Sequence, residues 1–282
     1  RALETVLEQD VDAELLVIDD GSTDGTAEML REDFASVRSH RLDPGVGTTV
    51  ARNVGTDLAT GDVIVWLDDD AYLQSPGTVR QAVADFDEPR VGIVAMPFAD
   101  VIGSERHVRH AAPPDDRVWV VPTFMGAVHA VRREAFRGVG GYRSDYFMYG
   151  EERDISLRLL DAGYVTRMGR SDAAVHAPSP VRSLARMDVL GRRNEIIWAW
   201  TSFPAPWHAL FVAGYALKGV VVGLQVRRLR RMLRGIWRGL AMIPSLRRTP
   251  VSRSAFALDR RTRRKPRPLS ELEARLPPLS SS

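Results

Sequence analysis

The chain has 282 residues and no cysteine, which excludes disulfides and thiolate metal sites. Its 44% hydrophobic and 27% charged residues allow a sizeable core and exclude a wholly disordered chain. The net charge of +3 hides an asymmetry, because residues 227–267 carry fourteen Arg and one Lys against one Asp, whereas residues 1–226 are acidic. An acidic body joined to a basic segment predicts two roles within one chain.

Strands and helices alternate along the first third of the sequence. Apolar, β-branched runs predict strands at 14–20, 37–42, 63–67 and 91–98. Helical spacing predicts one helix that ends near residue 34, and two more at 48–58 and 76–86. This alternation predicts a doubly wound α/β sheet.

The second half is less regular. Residues 99–116 are predicted to form a surface loop, followed by strands at 118–121, 126–131, 164–168 and 173–176 and a helix at 151–162. Prolines at 204, 206 and 244 interrupt a helical pattern, and the Pro, Ser and Arg content after residue 249 predicts disorder. We therefore predict a main domain at 1–203, a basic helical region at 204–248 and a disordered basic tail at 249–282.

Three consecutive carboxylates, Asp68, Asp69 and Asp70, follow the predicted strand at 63–67. Side chains at the carboxyl end of a parallel strand emerge into a crevice. Adjacent carboxylates repel one another unless a cation or several donors compensate them. A divalent ion that carries a phosphorylated substrate is one such compensation, and an ordinary acidic turn is the alternative.

Three motifs in order resemble the inverting family-2 glycosyltransferases of the GT-A fold. They are the segment at 17–26 (VIDDGSTDGT), the segment at 67–70 (LDDD) preceded by ARNVG at 51–55 and ATGD at 59–62, and GGY at 140–142 followed by DYFMYGEERDI at 145–155. The likeness covers about residues 14–176. It implies a doubly wound, mostly parallel sheet flanked by helices, with the catalytic domain at 1–203 and a C-terminal helical appendage.

The resemblance assigns nucleotide-sugar binding to the first motif and to the helix after it. Asp19 and Asp20, with Asp24 nearby, would hold the base and ribose, since carboxylates accept hydrogen bonds from hydroxyl and N–H groups. Arg52 and Asn53 match positions that face the nucleotide. The alternatives are a strand-end turn capped by Ser and Asp, and a solvated arginine on a helix.

The second motif matches the family's Asp-x-Asp metal signature. The resemblance implies that Asp70 ligates Mg²⁺ or Mn²⁺, and that Asp68 reaches the metal through water or holds the ribose, with Asp69 also at the nucleotide-sugar. His176 matches a position that can add a metal ligand, which suits Mn²⁺ more than Mg²⁺. A hydrogen-bonded core histidine is the alternative.

The third motif supplies a general base, which the acceptor hydroxyl needs as it attacks the anomeric carbon. The acidic pair is Glu151-Glu152, and Glu152 falls at the base position, where Asp is commoner in the family. Asp154 and Arg158 match supporting positions and are spaced for an ion pair. The alternative is an acidic helix start favoured by the helix dipole. Arg193 and Asn194 match a pair that follows the catalytic domain in many relatives, with no role assigned.

One departure from the family concerns the beginning of the sequence. Relatives begin with a central strand before the helix whose end corresponds to residues 1–9, and that strand is absent from this sequence. Its loss would expose strand edges. We expect the sequence to be a fragment of a longer chain.

The function implied by the resemblance is metal-dependent, inverting transfer of a sugar from a nucleoside-diphosphate sugar to a hydroxyl, on a cell-envelope glycan or glycolipid. Two alternatives remain open: transfer to a polyprenyl phosphate, against which the Glu151-Glu152 pair argues, and an inactive nucleotide-sugar-binding relative. We expect no nucleic-acid partner, because no aromatic stacking platform accompanies the basic segment.

The basic region is predicted to bind an anionic membrane surface. Residues 207–226 are apolar apart from His208, Lys218 and Gln225, a length that can span a bilayer. Residues 227–243 alternate arginine with Leu, Met, Ile and Trp at helical spacing, as in a helix that lies at the interface. We therefore expect a cytoplasmic protein peripheral at the inner face of the cell membrane, the alternative being a helix packed on the protein's own core.

Overall fold

A computed structural model describes residues 1–102, 105–177 and 183–279 of the chain. The helices are α1 (Ala2–Leu7), α2 (Thr26–Glu32), α3 (Thr48–Leu58), α4 (Thr78–Ala84), α5 (Arg133–Gly138), α6 (Glu151–Asp161), α7 (Leu184–Ser202), α8 (Trp207–Gln225), α9 (Leu229–Met242) and α10 (Arg253–Thr262). The strands are β1 (Leu16–Asp19), β2 (Arg38–Arg41), β3 (Val63–Leu67), β4 (Ala71–Tyr72), β5 (Val91–Ala95), β6 (Phe98–Ile102), β7 (Glu105–Arg109), β8 (Trp119–Val121), β9 (Val128–Arg132), β10 (Val165–Met168), β11 (Ala174–His176) and β12 (Arg267–Pro268).

The strands form three sheets flanked by helices. The largest has the order β12-β8-β10-β5-β9-β3, a second has the order β4-β11-β6-β7, and β1 and β2 form a parallel pair. The α/β class is confirmed. The expected mostly parallel arrangement needs one correction, because β9 runs antiparallel to both β3 and β5, and β6-β7 is a hairpin.

Strands β1 and β3 belong to different sheets. Within the described ranges, β1 pairs with β2 and β3 pairs with β9, and no strand lies between β1 and β3. Helix α3 covers both, since a Cβ at Gly55 would lie 2.5 Å from Trp66 of β3 and 3.0 Å from Ile18 of β1. The absence of the family's first strand stays a prediction.

The surface loop predicted at 99–116 is wrong in its first part. Strand β6 pairs antiparallel with β7, with Phe98 opposite Arg109 and Ala99 opposite Val108. Strand β6 is apolar apart from Asp100, and the Pro113-Pro114 pair that suggested a loop comes only after β7 ends. The residues at 103 and 104 lie outside the described part of the chain.

The disordered tail predicted at 249–282 is also wrong over its described residues, 249–279. Helix α10 packs on α6, and β12 extends the six-stranded sheet beside β8. Four leucines of this segment belong to the main hydrophobic core: Leu258, Leu269, Leu272 and Leu276. Burial of these leucines offsets the entropy cost of ordering an arginine-rich chain, which composition alone does not indicate.

Helices α7, α8 and α9 form the helical appendage. Gly235 and Gly239 let α9 approach α7 closely, since a Cβ at these positions would lie 2.5 Å from Val189 O and 2.9 Å from Arg193 O. Met232 and Ile236 of α9 are buried, whereas Trp237 is 69% exposed. The predicted interfacial face of α9 is therefore divided, with Met232 and Ile236 turned into the protein.

Candidate functional site

The turn after β1 is hydrogen-bonded within the protein. Asp19 is buried, accepts a hydrogen bond from Ser22 N at 2.8 Å and pairs with Arg41. Burial raises the pKa of Asp19, but the hydrogen bonds from Ser22 and Arg41 outweigh it and leave the pKa below its usual value. Asp20 accepts from Val46 N at 2.6 Å and Gly47 N at 2.8 Å, and so ties this turn to the loop before α3.

Two further residues assigned to the nucleotide also have internal partners. Asp24 is exposed and accepts hydrogen bonds from the hydroxyl and amide of Thr26 at the start of α2, which lower its pKa. Asn53 accepts from Tyr142 N at 2.8 Å and donates to Tyr142 O at 2.7 Å. Its amide therefore joins α3 to the Gly140-Gly141-Tyr142 segment.

Arg52 lies at the centre of the site and is not the solvated helix charge considered as the alternative. Its Nη2 donates to Asp68 Oδ1 at 2.7 Å and to Gly126 O at 2.8 Å, and its Nη1 lies 3.6 Å from Glu151 Oε1. Although burial disfavours the cation, the charges of Asp68 and Glu151 help to raise the pKa of Arg52. One buried cation thus joins carboxylates of the second and third motifs.

The carboxylates after β3 are brought beside His176. Strand β11 pairs with β4, which follows directly after Asp70, so His176 Nε2 lies 3.5 Å from Asp70 Oδ2. Local burial and the charges of Asp70 and Asp68 raise the pKa of Asp69. Oδ1 of Asp68 is engaged by Arg52. Across the described segments, no group of three or more His, Asp or Glu side chains is arranged to hold a metal ion by itself.

The acidic pair begins α6, after Gly150 with a φ of 88°. Glu151 is 4% exposed, and its Oε2 has no hydrogen-bond partner among the described atoms. Burial and the neighbouring charge of Glu152 raise the pKa of Glu151 to about 8. Glu152 Oε2 accepts from Gly150 N at 3.1 Å, and a Cβ at Gly126 would lie 2.8 Å from Glu152 Oε1. Both glutamates therefore lie close to the residues around Arg52.

The predicted pair of Asp154 and Arg158 is confirmed, with Arg158 Nε 2.8 Å from Asp154 Oδ2. Asp154 is buried and also binds Arg143 and the hydroxyl of Ser202. Burial raises the pKa of Asp154, but the two arginines and Ser202 lower it by more, so the net shift is downward. This network joins α6 to the end of α7.

Sequence reasoning missed His129, which is fully buried on β9. Its Nδ1 lies 3.0 Å from Gly126 O, and its Nε2 lies 3.0 Å from the Tyr142 hydroxyl. A carbonyl only accepts, so Nδ1 donates and Nε2 accepts from Tyr142. Burial and the charge of Arg52 lower the pKa of His129 well below its usual value. A polar residue inside the apolar run of β9 was the available signal.

The described surface near the first motif has a cavity of about 240 Å³ between α2 and the β1-β2 pair. It is lined by Asp19, Ala27, Leu30, Arg31, Ala35, Val37, Ser39 and Arg41. Arg41, which the sequence did not single out, therefore lines this cavity together with its partner Asp19.

Comparison with known sequences places these motifs among transferases. The family model of glycosyl transferase family 2 matches residues 1–144. An undecaprenyl-phosphate 4-deoxy-4-formamido-L-arabinose transferase of Aeromonas hydrophila is 31% identical over 141 residues, which are 47% of this chain and 36% of that protein. An N-acetylglucosaminyl-diphospho-decaprenol L-rhamnosyltransferase of Mycobacterium tuberculosis is 28% identical over 204 residues, covering 57% of this chain and 66% of that protein. The chain thus spans less than two thirds of either relative.

Solved structures share the fold at low identity. The mannosyltransferase PcManGT from Pyrobaculum calidifontis, in complex with GDP-Man and Mn²⁺, matches with a TM-score of 0.57 and 20% identity over 84% of this chain and 81% of that one. GalNAc-T7 with UDP, GalNAc and Mn²⁺ matches with a TM-score of 0.61 and 16% identity over 86% of this chain and 53% of that one. S. aureus TarS 1-349 with UDP-GlcNAc matches with a TM-score of 0.54 and 15% identity over 86% of this chain and 77% of that one. At these identities, the likeness concerns the fold alone.

Proposed function

The chain belongs to glycosyl transferase family 2 and has the GT-A fold, and we propose that it is a metal-dependent, inverting glycosyltransferase. It takes a sugar from a nucleoside-diphosphate sugar and transfers it to a hydroxyl of a lipid-linked glycan or glycolipid. The observation that carries the proposal is the grouping of Asp68, Glu151 and Glu152 around buried Arg52.

The carboxylates around Arg52 have separate tasks in the proposed reaction: Glu152 acts on the acceptor, whereas Asp68 and Glu151 are bound by Arg52. Glu152 accepts the proton of the acceptor hydroxyl as its oxygen bonds to the anomeric carbon. The bond from that carbon to the diphosphate breaks in the same step, and the nucleoside diphosphate leaves. Arg52 holds Asp68 and Glu151 in place, which keeps the two motifs in register.

The residues present fit a divalent cation that is also bound by substrate. Asp70, directly before β4, and His176, on the neighbouring β11, offer a carboxylate and an imidazole, a pair that suits Mn²⁺. Since no three such groups converge in the described segments, diphosphate oxygens would complete the coordination. When bound, the metal stabilises the charge of the departing diphosphate.

The donor and acceptor classes are supported by the relatives. Neighbouring structures hold GDP-Man, UDP or UDP-GlcNAc, and both curated relatives are named for polyprenyl-linked acceptors. The rhamnosyltransferase name describes an acceptor that already carries a sugar, and a sugar hydroxyl needs a base. Transfer to a bare polyprenyl phosphate is the second candidate, favoured by the name of the 31% identical relative.

The decisive experiment measures turnover of a panel of UDP-, dTDP- and GDP-sugars by the full-length gene product, with Mn²⁺, with Mg²⁺ and in excess EDTA. We expect turnover of one donor class only with metal. Asp70→Ala should lower kcat on the order of 10²-fold or more while the protein stays folded, because the leaving group loses charge stabilisation. Full turnover by metal-free wild-type protein in EDTA would overturn the metal assignment.

We further propose that helices α8 and α9 hold the protein on an anionic membrane. Within the described residues, α8 is the one helix long and apolar enough to cross a bilayer, by length and composition only. Its exposed side chains include Leu210, Leu217 and Leu224, which are 59%, 66% and 61% exposed. Lys218 is exposed beside Leu217, and its ammonium lies 3.4 Å from Glu195 of α7.

The charge of α9 complements such a membrane. Trp237, Arg234 and Arg238 are all exposed, so α9 presents an aromatic ring and guanidinium groups to solvent. Each basic residue near an anionic leaflet contributes about 1 kcal/mol of attraction. The arrangement supports a peripheral position with both helices lying at the interface.

Point substitutions test the membrane proposal, because a truncation at Pro206 would remove β12 and four core leucines. Leu217→Asp combined with Trp237→Asp should abolish co-sedimentation with vesicles of phosphatidylglycerol. The matched control is Leu7→Asp, an exposed leucine on α1 that is remote from α8 in sequence. Equal sedimentation of the double variant, the control and the wild type would show that this face does not bind lipid.

A further inference from the structure

The loop at residues 145–150 has a strained backbone immediately before the acidic pair. Phe147 and Tyr149 have φ values of 64° and 70°, in the left-handed region that side chains disfavour. Gly150 follows with a φ of 88° and leads directly into Glu151. A conformation of this kind persists only where the surrounding structure holds it.

This 145–150 loop contacts both halves of the site. Phe147 O accepts a hydrogen bond from Thr49 N at 3.3 Å, in the first turn of the helix that carries Arg52. At the other end, Gly150 N donates to Glu152 Oε2 at 3.1 Å. A displacement of the loop would therefore move Glu152 relative to Arg52.

Two neighbouring side chains of α7, Asn194 and Arg193, hold the loop. Asn194 is 1% exposed, and its Nδ2 lies 2.6 Å from Tyr149 O, 2.7 Å from Met148 O and 3.2 Å from Tyr146 O. Its Oδ1 accepts from Arg193 Nε at 2.8 Å. Arg193 in turn donates through Nη2 to Asp145 O at 3.0 Å and Tyr146 O at 2.5 Å. These bonds hold the backbone carbonyls of the 145–150 loop in their strained arrangement.

We propose that Asn194 is a positioning residue for glycosyl transfer, which it serves by holding the 145–150 loop so that Glu152 stays directed at the acceptor. This inference rests on the proposed role of Glu152 as general base. Asn194 touches no reacting atom. It acts through loop carbonyls, and its role differs from that of an ordinary core hydrogen bond because the held segment ends at Gly150, whose N–H binds the base.

Asn194→Asp removes the Nδ2 donors and preserves the size of the side chain and the acceptor for Arg193. We expect kcat to fall on the order of 10²-fold, since a misplacement of about 1 Å costs that much. The KM for the sugar donor should stay nearly unchanged. Hydrogen exchange of the peptide at 145–152 should accelerate. Asn194→Ser, which keeps one donor, should lie between the wild type and the aspartate variant in both readouts.

Val189→Ala is the matched control, since Val189 is buried on the same helix and its carbonyl lies at Gly235 of α9. It should lower the melting temperature without changing kcat or loop exchange. If kcat falls in all α7 variants in proportion to their melting temperatures, Asn194 only stabilises the fold and the proposal is wrong. Unchanged kcat in an Asn194→Asp protein with a more rapidly exchanging loop would overturn it as well.

A double variant separates this inference from the proposed function. Residues that act through one group are non-additive, so Asn194→Asp should slow a Glu152→Gln enzyme no further. A further fall on the order of 10²-fold in the double variant would show that Asn194 does not act through Glu152. Wild-type turnover by the Glu152→Gln single variant would instead refute the proposed base, and with it the coupling.

Discussion

The two acidic sides of the site differ in how their charges are compensated. On the side of the first motif, Asp19 and Asp20 each accept bonds from donors within the protein, which bind both carboxylate oxygens. On the side of α6, buried Glu151 keeps an oxygen with no hydrogen-bond partner among the described atoms. An unsatisfied buried carboxylate costs free energy, so it points to a group that a proton or a substrate completes. The carboxylates of the first side are therefore engaged within the protein, and we propose that the second side carries the chemistry.

The largest expected effect comes from the chemical side. Glu152→Gln keeps the shape of the side chain but removes its basicity, so kcat should fall about 10²–10⁴-fold. Binding of the nucleotide-sugar, measured by calorimetry, should change little. Near-wild-type turnover would show that another group is the base, or that the acceptor is a phosphate that needs none.

The second-largest expected effect is on the pH dependence of the free energy of unfolding, which Glu151 changes on the side of α6. The raised pKa of Glu151, about 8 against 4.5 in the unfolded chain, means that the folded protein keeps a proton that the unfolded protein releases. The contribution of Glu151 to stability therefore falls as pH rises from 4.5 to 8, by up to about 1.4 kcal/mol per pH unit. Glu151→Gln has no such proton, so its stability relative to wild type should increase over this range.

Melting temperatures at several pH values between 5 and 8 measure that difference. Glu28→Gln, on the exposed surface of α2, serves as the control and should run parallel to the wild type. Parallel curves for Glu151→Gln and wild type would contradict the assignment of a retained proton to Glu151.

The smallest effect is expected on the structural side. Asn53→Ala removes both hydrogen bonds to Tyr142 and should lower the free energy of unfolding by about 1–3 kcal/mol. Nucleotide-sugar affinity should change little, because the amide is occupied by Tyr142. Urea unfolding and nucleotide titration measure the two quantities. A large loss of affinity at unchanged stability would restore the nucleotide-facing role expected from the sequence.

Local patterns predicted the elements that position the site. Apolar runs and their stops located β1, β3 and β5, helical spacing located α3 and α6, and the acidic residues followed from strand ends and a helix start. The strand at β9 was predicted, but its antiparallel direction and the order of the C-terminal segment were not, because the partner strands β3 and β8 are distant in sequence. The same reason explains Asn194, whose bonds reach the 145–150 loop across more than forty residues.

The roles of individual polar side chains were the least predictable part. Asn53 and Arg52 are neighbours on one helix, yet one binds backbone atoms and the other forms ion pairs. Which of these a side chain does depends on rotamer and on the approach of Gly126 and Tyr142, which no spacing in the sequence encodes. Motif order identifies a site, but the division between support and chemistry requires coordinates.

The helical appendage is fixed to the catalytic body at both ends. Helix α7 holds the 145–150 loop, and the chain that leaves α9 returns through α10 to β12 in the main sheet. With the proposed membrane contact, the fold sets the height of the reaction centre above the bilayer. A flexible tether would let that height vary. Under the proposed function, a lipid-linked glycan would present its terminal hydroxyl at the height of the reaction centre at one length, and each added sugar would carry the next hydroxyl beyond it. Product length would then be set by geometry, with no separate signal to stop.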